Sequence, residues 1–255
     1  MPGNGLVPPS ILLSYLLVLT RVSMLFVFVP LPGIRSFPEV PRILVSTALA
    51  AALYPVWPVV RSDVSWVQVV AWLLSEAAFG LTVAVVVAFL IEGLLLAAQI
   101  LGLQAGYSFA STIDPTTQSD STVIQTAVQL FAGMLFFVAG LDRELVRIFA
   151  RSLEIWPPGT FAVRQPVAEM VQRLGGAMFS VGLRLALPVV ALMLLLDLSL
   201  ALLGRVNAQL QMLTLSFPVK MLASLVTIGT LLSVFPKVFA NAAAGTLTAL
   251  WRLLS

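Results

Sequence analysis

The sequence predicts an all-α protein, a membrane-complex subunit of long, kinked helical hairpins. Composition is the first reason. Of 255 residues, 60% are hydrophobic and 10% charged, against about 25% charged in an ordinary soluble domain. The mean hydropathy of +1.04 places the chain in a membrane or in a membrane-embedded complex. Pattern is the second reason. Polar and small residues within the apolar runs recur at helical spacing, and that pattern continues across Pro188, Pro218 and Pro236, which are therefore expected to kink helices and not to end them.

Taken in order, Ile11 to Val29 is the first helix, starting after Pro8-Pro9-Ser10 with Ser10 as its cap. The amino terminus lacks the positive region of a cleaved signal peptide, and Arg21 interrupts its apolar run, so it is expected to be retained. Pro30-Leu31-Pro32-Gly33 ends this helix, and Ile34 to Arg42 reads as a proline-punctuated connector. Ile43 to Tyr54 is helical but short of the roughly 20 residues a bilayer core requires. Trp57, Trp66 and Trp72 follow, and fit either an interfacial belt or aromatic core packing.

One long helix is predicted from Ser65 to Leu103, with Glu76 and Glu92 inside it. Carboxylates in an apolar helix are expensive to bury, so both require partners from elsewhere in the protein or its complex. Val123 to Leu141 is apolar and uncharged, and Asp142 to Trp156 continues as an amphipathic end with Arg143, Arg147 and Arg151 four apart and Glu144 and Glu154 close by for local pairing. Pro157-Pro158-Gly159 and a linker to Pro166 divide the chain into 1–159 and 160–255. The second part reads as two long arms, Val167 to Leu203 and Leu210 to Leu250, punctuated by single charges that include Arg184, Asp197 and Lys220. Such charges suit helices buried against protein better than single-pass anchors in lipid.

The central stretch Gly106 to Thr122, GYSFASTIDPTTQSDST, is a polar interruption between two of the most apolar stretches. Irregular backbone cannot face lipid, so this loop either leaves the membrane or sits against protein or water. Upstream, Glu92, Gln99, Gly102 and Gly106 fall on one helical stripe; downstream, Thr122, Gln125, Thr126, Gln129, Gly133 and Gly140 do the same. Close helix packing and a wet lumen both fit these stripes. Thr122 and Gln125 have capping-box spacing.

Several chemistries are excluded. The chain has no Cys and no His, which removes disulfides, thiolate nucleophiles, Cys or His metal sites and imidazole proton transfer. The net charge of +3 is spread along the chain, unlike a nucleic-acid footprint. Asp197 stands alone where an intramembrane aspartyl protease requires two aspartates, and no Gly-x-Ser-x-Gly or Walker loop occurs. Neither an enzyme nor a cofactor is expected.

Four stretches together resemble the FliR family of flagellar type III export-gate proteins: PLPGIRSFPEVPRI, GLQAGYSFASTIDP, LRLALPVVALMLLLDLSLALLGRVNAQ and LTLSFPVKMLAS. The Gly-x-Ser-Phe-Ala-x-x-x-Asp-Pro pattern at Gly106 to Pro115 is the most diagnostic, and distinguishes the flagellar protein from its injectisome counterpart. Ala208, where Pro is expected, and the order Glu92-Gly93 depart from the family pattern. The resemblance implies a FliP-like part over 1–159 followed by a FliQ-like hairpin over 160–255. It implies a non-enzymatic subunit that joins FliP and FliQ in a channel for unfolded flagellar subunits, with FlhB around it and FlhA coupling it to proton-motive force. The setting implied is the bacterial inner membrane at the flagellar basal body, in contact with lipid.

Within that resemblance the central loop is a pore plug carrying Gly106, Phe109, Ile113, Asp114 and Pro115. Glu92, Gln99, Gln125 and Gln129 form the pore-facing stripe. Gln209, Phe217 and Lys220 stand near the cytoplasmic entrance. A secondary transporter or channel subunit is the alternative from another class, and an injectisome gate protein is the alternative within this one. A transporter should show inverted repeats around a midplane site, and no convincing repeat of that kind is found in the sequence.

Overall fold

The computed structural model describes residues 8–29, 39–60, 64–106, 123–206 and 212–254. Among the described residues the chain is helical, with no strand. The helices are α1 (Pro9–Phe28), α2 (Glu39–Ala52), α3 (Trp66–Gln104), α4 (Val123–Val138), α5 (Leu141–Ile155), α6 (Gln165–Val206), α7 (Met212–Leu231) and α8 (Phe235–Leu253), with a 3-10 turn at Tyr54–Val56. Three of them, α1, α3 and α6, are long and apolar enough to cross a membrane, or up to five spans if α4 with α5 and α7 with α8 each count as one.

Local sequence accounts for most boundaries. Pro9 occupies the first turn of α1, where a missing N–H costs nothing, and Pro8 precedes it without any side-chain cap; Ser10 is therefore inside the helix and not its cap. Glu39 to Arg42, expected as connector, already belongs to α2, whose first turn accommodates Pro41 for the same reason. The start of α3 carries a capping box in which Gln68 N–H donates to Ser65 Oγ at 3.3 Å and Ser65 N–H donates to Gln68 Oε1 at 3.2 Å. Within the amphipathic segment, Arg147 pairs with Glu144 at 2.6 Å and Arg151 pairs with Glu154, as their spacing predicts.

Two further expectations are corrected. The segment from Val123 to Trp156 is not one helix: Gly140, at φ +68°, stops α4 and opens α5. That left-handed conformation is cheap for glycine and costly for other residues. Likewise Pro236 does not kink a continuous arm. Residues 232–234 form a turn, α8 begins at Phe235, and the two helices meet at 54°. Proline in the first turn of a new helix forfeits no bond, whereas mid-helix it would remove one and clash with the preceding turn. Pro188 and Pro218 do lie inside their helices, as the sequence predicts.

The chain divides into two compact units, one of residues 1–89, 140–175 and 244–255, the other of 90–139 and 176–243. In the first, Leu17, Val18, Val22, Phe79, Val83, Ile148 and Phe149 are buried. Phe79 packs edge-on against Phe149 and Phe161, with centroids 6.3 and 5.1 Å away. Each fully buried ring contributes about 1.5–3 kcal/mol of hydrophobic stabilisation. In the second, Leu101, Val189 and Met193 form a core with Leu196, Ala223, Ile228 and Leu231 packed against it. Gly182 lets α6 approach α3 here: a Cβ on it would stand 2.9 Å from the carbonyl oxygen of Gly93.

The three tryptophans have different surroundings. Trp57 packs against Tyr15 and, edge-on, against Tyr54, with ring centroids 5.3 and 5.0 Å away, and donates to the carbonyl of Ala50, while Trp66 is 85% exposed. Trp72 fills the space that a side chain at Gly159 would require.

Candidate functional site

The central hairpin is described up to its polar loop. Helix α3 closes at Gln104, and Ala105 and Gly106 turn away with N–H bonds to the carbonyls of Leu101 and Leu103 at 2.9 and 3.2 Å. Gly106 takes φ +81°, the left-handed conformation with which helices commonly end at glycine. Phe109, Ile113, Asp114 and Pro115 lie outside the described residues, as does Thr122, the first member of the expected capping box. On the flanks, Glu92, Gln125 and Gln129 are half-buried and Gln99 is exposed, whereas Gly102 and Gly133 are buried. Gly102 and Gly133 are thus taken up by packing, while Gly106 and Gly140 are half-buried and Gln99 and Thr126 remain at the surface.

At the far hairpin, Gln209 lies outside the described residues, and of Phe217 only the helical backbone is described. Lys220 projects from α7 onto Asp197 of α6 and makes an ion pair with it. The lysine side chain is 19% exposed and the aspartate 44%, so the pair lies at the surface of a largely apolar hairpin. Around it α6 presents Leu183, Leu187, Leu194, Leu198 and Leu202, each 49–58% exposed, along one side, and α7 presents Leu222, Leu225 and Val226. An ion pair in that position is tolerated where protein or water meets it, and is costly where hydrocarbon does.

An elaborate polar arrangement in the first unit answers the demand that Glu76 places on its surroundings. Arg21 is 0% exposed and Glu76 is 1%. The Arg21 guanidinium donates from Nε and Nη2 to the two carboxylate oxygens of Glu76, a fork that only a planar guanidinium offers. Its Nη1 donates to Ser152 Oγ at 2.9 Å and its Nη2 also to the carbonyl of Trp156 at 3.0 Å. Ser152 in turn donates to the carbonyl of Phe149 at 2.7 Å, so its hydroxyl is used in both directions. The guanidinium also stands 4.8 Å from the centroid of Phe79, within cation–π range.

This network joins α1, α3, α5 and the chain leaving α5. The helices approach closely beside it, since a Cβ at Gly80 would stand 2.1 Å from the carbonyl oxygen of Arg21. In the sequence, Arg21 and Glu76 stand separately as charges in apolar helices. Their opposite sign was a signal for pairing, but Ser152 and the Trp156 carbonyl had none.

Comparison with known proteins bears on the whole chain. The family model for bacterial export proteins, family 1, matches residues 12–245. The flagellar biosynthetic protein FliR of Pectobacterium carotovorum is 26% identical over 216 residues, covering 85% of this chain and 83% of the relative. FliR of Bacillus subtilis is 27% identical over 249 residues, 95% of either chain. The secretion system apparatus protein SsaT of Salmonella typhimurium is 24% identical over 216 residues, covering 81% of both.

Proposed function

Because this chain belongs to the FliR family, family 1 of the bacterial export proteins, we propose that it is a membrane-embedded component of the flagellar protein export apparatus. Its role there is to form, with FliP and FliQ, the channel through which unfolded flagellar subunits leave the cytoplasm. FlhB surrounds this channel and FlhA couples it to proton-motive force, with the whole assembly in the inner membrane at the flagellar basal body. The division of the chain into a FliP-like part over 1–159 and a FliQ-like hairpin over 160–255 belongs to the same proposal.

The observation that carries this reading is the exposed apolar face of the α6–α7 hairpin. A row of exposed leucines flanks the Asp197–Lys220 pair, 44% and 19% exposed. Apolar surface of that extent asks for cover, and a charge pair within it favours protein cover over lipid. Neighbouring subunits of a helical assembly supply such cover. Gln209, Phe217 and Lys220 then stand near the cytoplasmic entrance of the channel.

The loop from Gly106 to Thr122 is the pore plug, with Phe109 and Ile113 as an apolar constriction that expels water and Gly106, Asp114 and Pro115 as its further members. A Ser- and Thr-rich segment buries little apolar area, so a passing chain displaces it at low cost. Glu92, Gln99, Gln125 and Gln129 line the path beside it. Deletion of residues 111–119 tests the plug: the expected result is ion leak through the resting membrane and slowed growth. A tight membrane with normal export would eliminate the plug while leaving the export role standing.

A further inference from the structure

The first turns of α6 and the last turns of α8 lie side by side in the first unit and enclose an open cleft of about 210 Å³. Val167, Met170 and Arg173 line it from α6, and Ala249, Arg252 and Leu253 from α8. Two guanidinium groups therefore share one wall system with five apolar side chains, Pro166 being the fifth. Both arginines are exposed, and so is the neighbouring Trp251, at 38%. Among the described residues no carboxylate pairs with Arg173, and the adjacent Glu169 is engaged by the side-chain amide of Gln165 at 2.8 Å.

Position adds to composition. The cleft sits where one membrane-length apolar helix begins, at Gln165, and where the bent pair α7–α8 ends, at Leu253. The ends of apolar spans lie where hydrocarbon gives way to headgroups, the level at which Trp and basic residues gather. A cleft at that depth with a cationic rim and an apolar floor is complementary to a molecule that is anionic at one end and hydrocarbon at the other.

We propose that this cleft binds an anionic phospholipid, with Arg173 and Arg252 on the headgroup phosphate and an acyl chain along Val167, Met170 and Leu253. Guanidinium groups match phosphate oxygens in planar, two-point contacts. The apolar floor selects a lipid over a free phosphate, which has no use for it. The inference rests on membrane embedding alone, so it stands or falls apart from any measurement of channel or plug.

The test uses the full chain in mixed detergent–lipid micelles, with bound lipid counted by native mass spectrometry. Phosphatidylglycerol should be retained in preference to phosphatidylcholine. Each basic residue near an anionic surface is worth about fivefold, so Arg173→Gln should lower phosphatidylglycerol retention roughly fivefold and Arg173→Gln/Arg252→Gln by tenfold or more. Circular dichroism of the variants establishes that the helices persist; should the double variant lose them, the single variant gives the same readout. Equal retention of the two lipids, or unchanged retention by folded variants, overturns the proposal. So does displacement of the lipid by inorganic phosphate at matched concentration, which would mark a small-anion site instead.

Discussion

Arg21 and Glu76 are each almost completely withdrawn from solvent, and neither is tolerable without the other. Removing one partner of such a pair leaves an uncompensated buried charge and costs about 3–5 kcal/mol, whereas replacing both by apolar groups of similar volume is often neutral. Glu76→Gln should therefore lower the thermal midpoint sharply, and Arg21→Met/Glu76→Leu should recover most of the loss. The residual loss in the double variant is expected from Ser152 Oγ and the Trp156 carbonyl, which Arg21 satisfies at 2.9 and 3.0 Å. Thermal melting of the detergent-solubilised chain checks this. A double variant as unstable as Glu76→Gln would mean that the network, and not charge compensation, holds the unit together. The demand for a partner was legible in the sequence, because a lone carboxylate in an apolar helix has few alternatives. The identity of the partner was not, since Arg21 lies 55 residues away and only folding brings it within reach.

At the scale of elements, the long helices depend on how closely their backbones meet. Gly80 faces the carbonyl of Arg21, with 2.1 Å available to a Cβ, while Gly176 in α6 has nothing within 4 Å. Backbone cannot move aside as a flexible side chain can. Gly80→Ala should destabilise the protein by at least about 1–3 kcal/mol, the usual scale of overpacking. Gly176→Ala should be neutral or stabilising by up to about 1 kcal/mol, because Ala is the better helix former. A parallel melting experiment on the two variants separates them, and equal midpoints would contradict the close approach of α1 and α3. Element existence was well predicted here: α3 runs Trp66–Gln104 against an expectation of Ser65 to Leu103. Breaks were predicted less well. Pro188 lies within α6 but Pro236 opens α8, and local sequence makes both outcomes affordable, so neighbouring packing decides between them.

For the whole molecule, the exposed apolar surface of α6 and α7 is the dominant fact. Gln165–Arg205 is 22% buried across its most apolar window, whereas Trp66–Gln104 is 67% buried. A helix that is apolar yet unburied owes its stability to whatever surrounds it. Expressed alone, the chain should accumulate to a several-fold lower level than with FliP and FliQ, with which it should co-purify as one complex. Quantitative immunoblotting and size-exclusion chromatography read both. Equal accumulation alone, with a solute bound to the isolated chain, would favour a transporter over a subunit of an export channel.

The sequence by itself determined the helical class, the membrane setting, the approximate extent of the long helices and, through its motifs, the family. These follow from composition and from periodicity along the chain, which are local properties. The tertiary structure decided that Arg21 is the partner of Glu76, that Lys220 meets Asp197, and that Gly80 and Gly182 sit at helix contacts. It also brought Arg173 and Arg252 to one cleft. Each of these is a pairing between distant positions, and a helix with apolar residues on every side does not announce which of its faces will meet which neighbour.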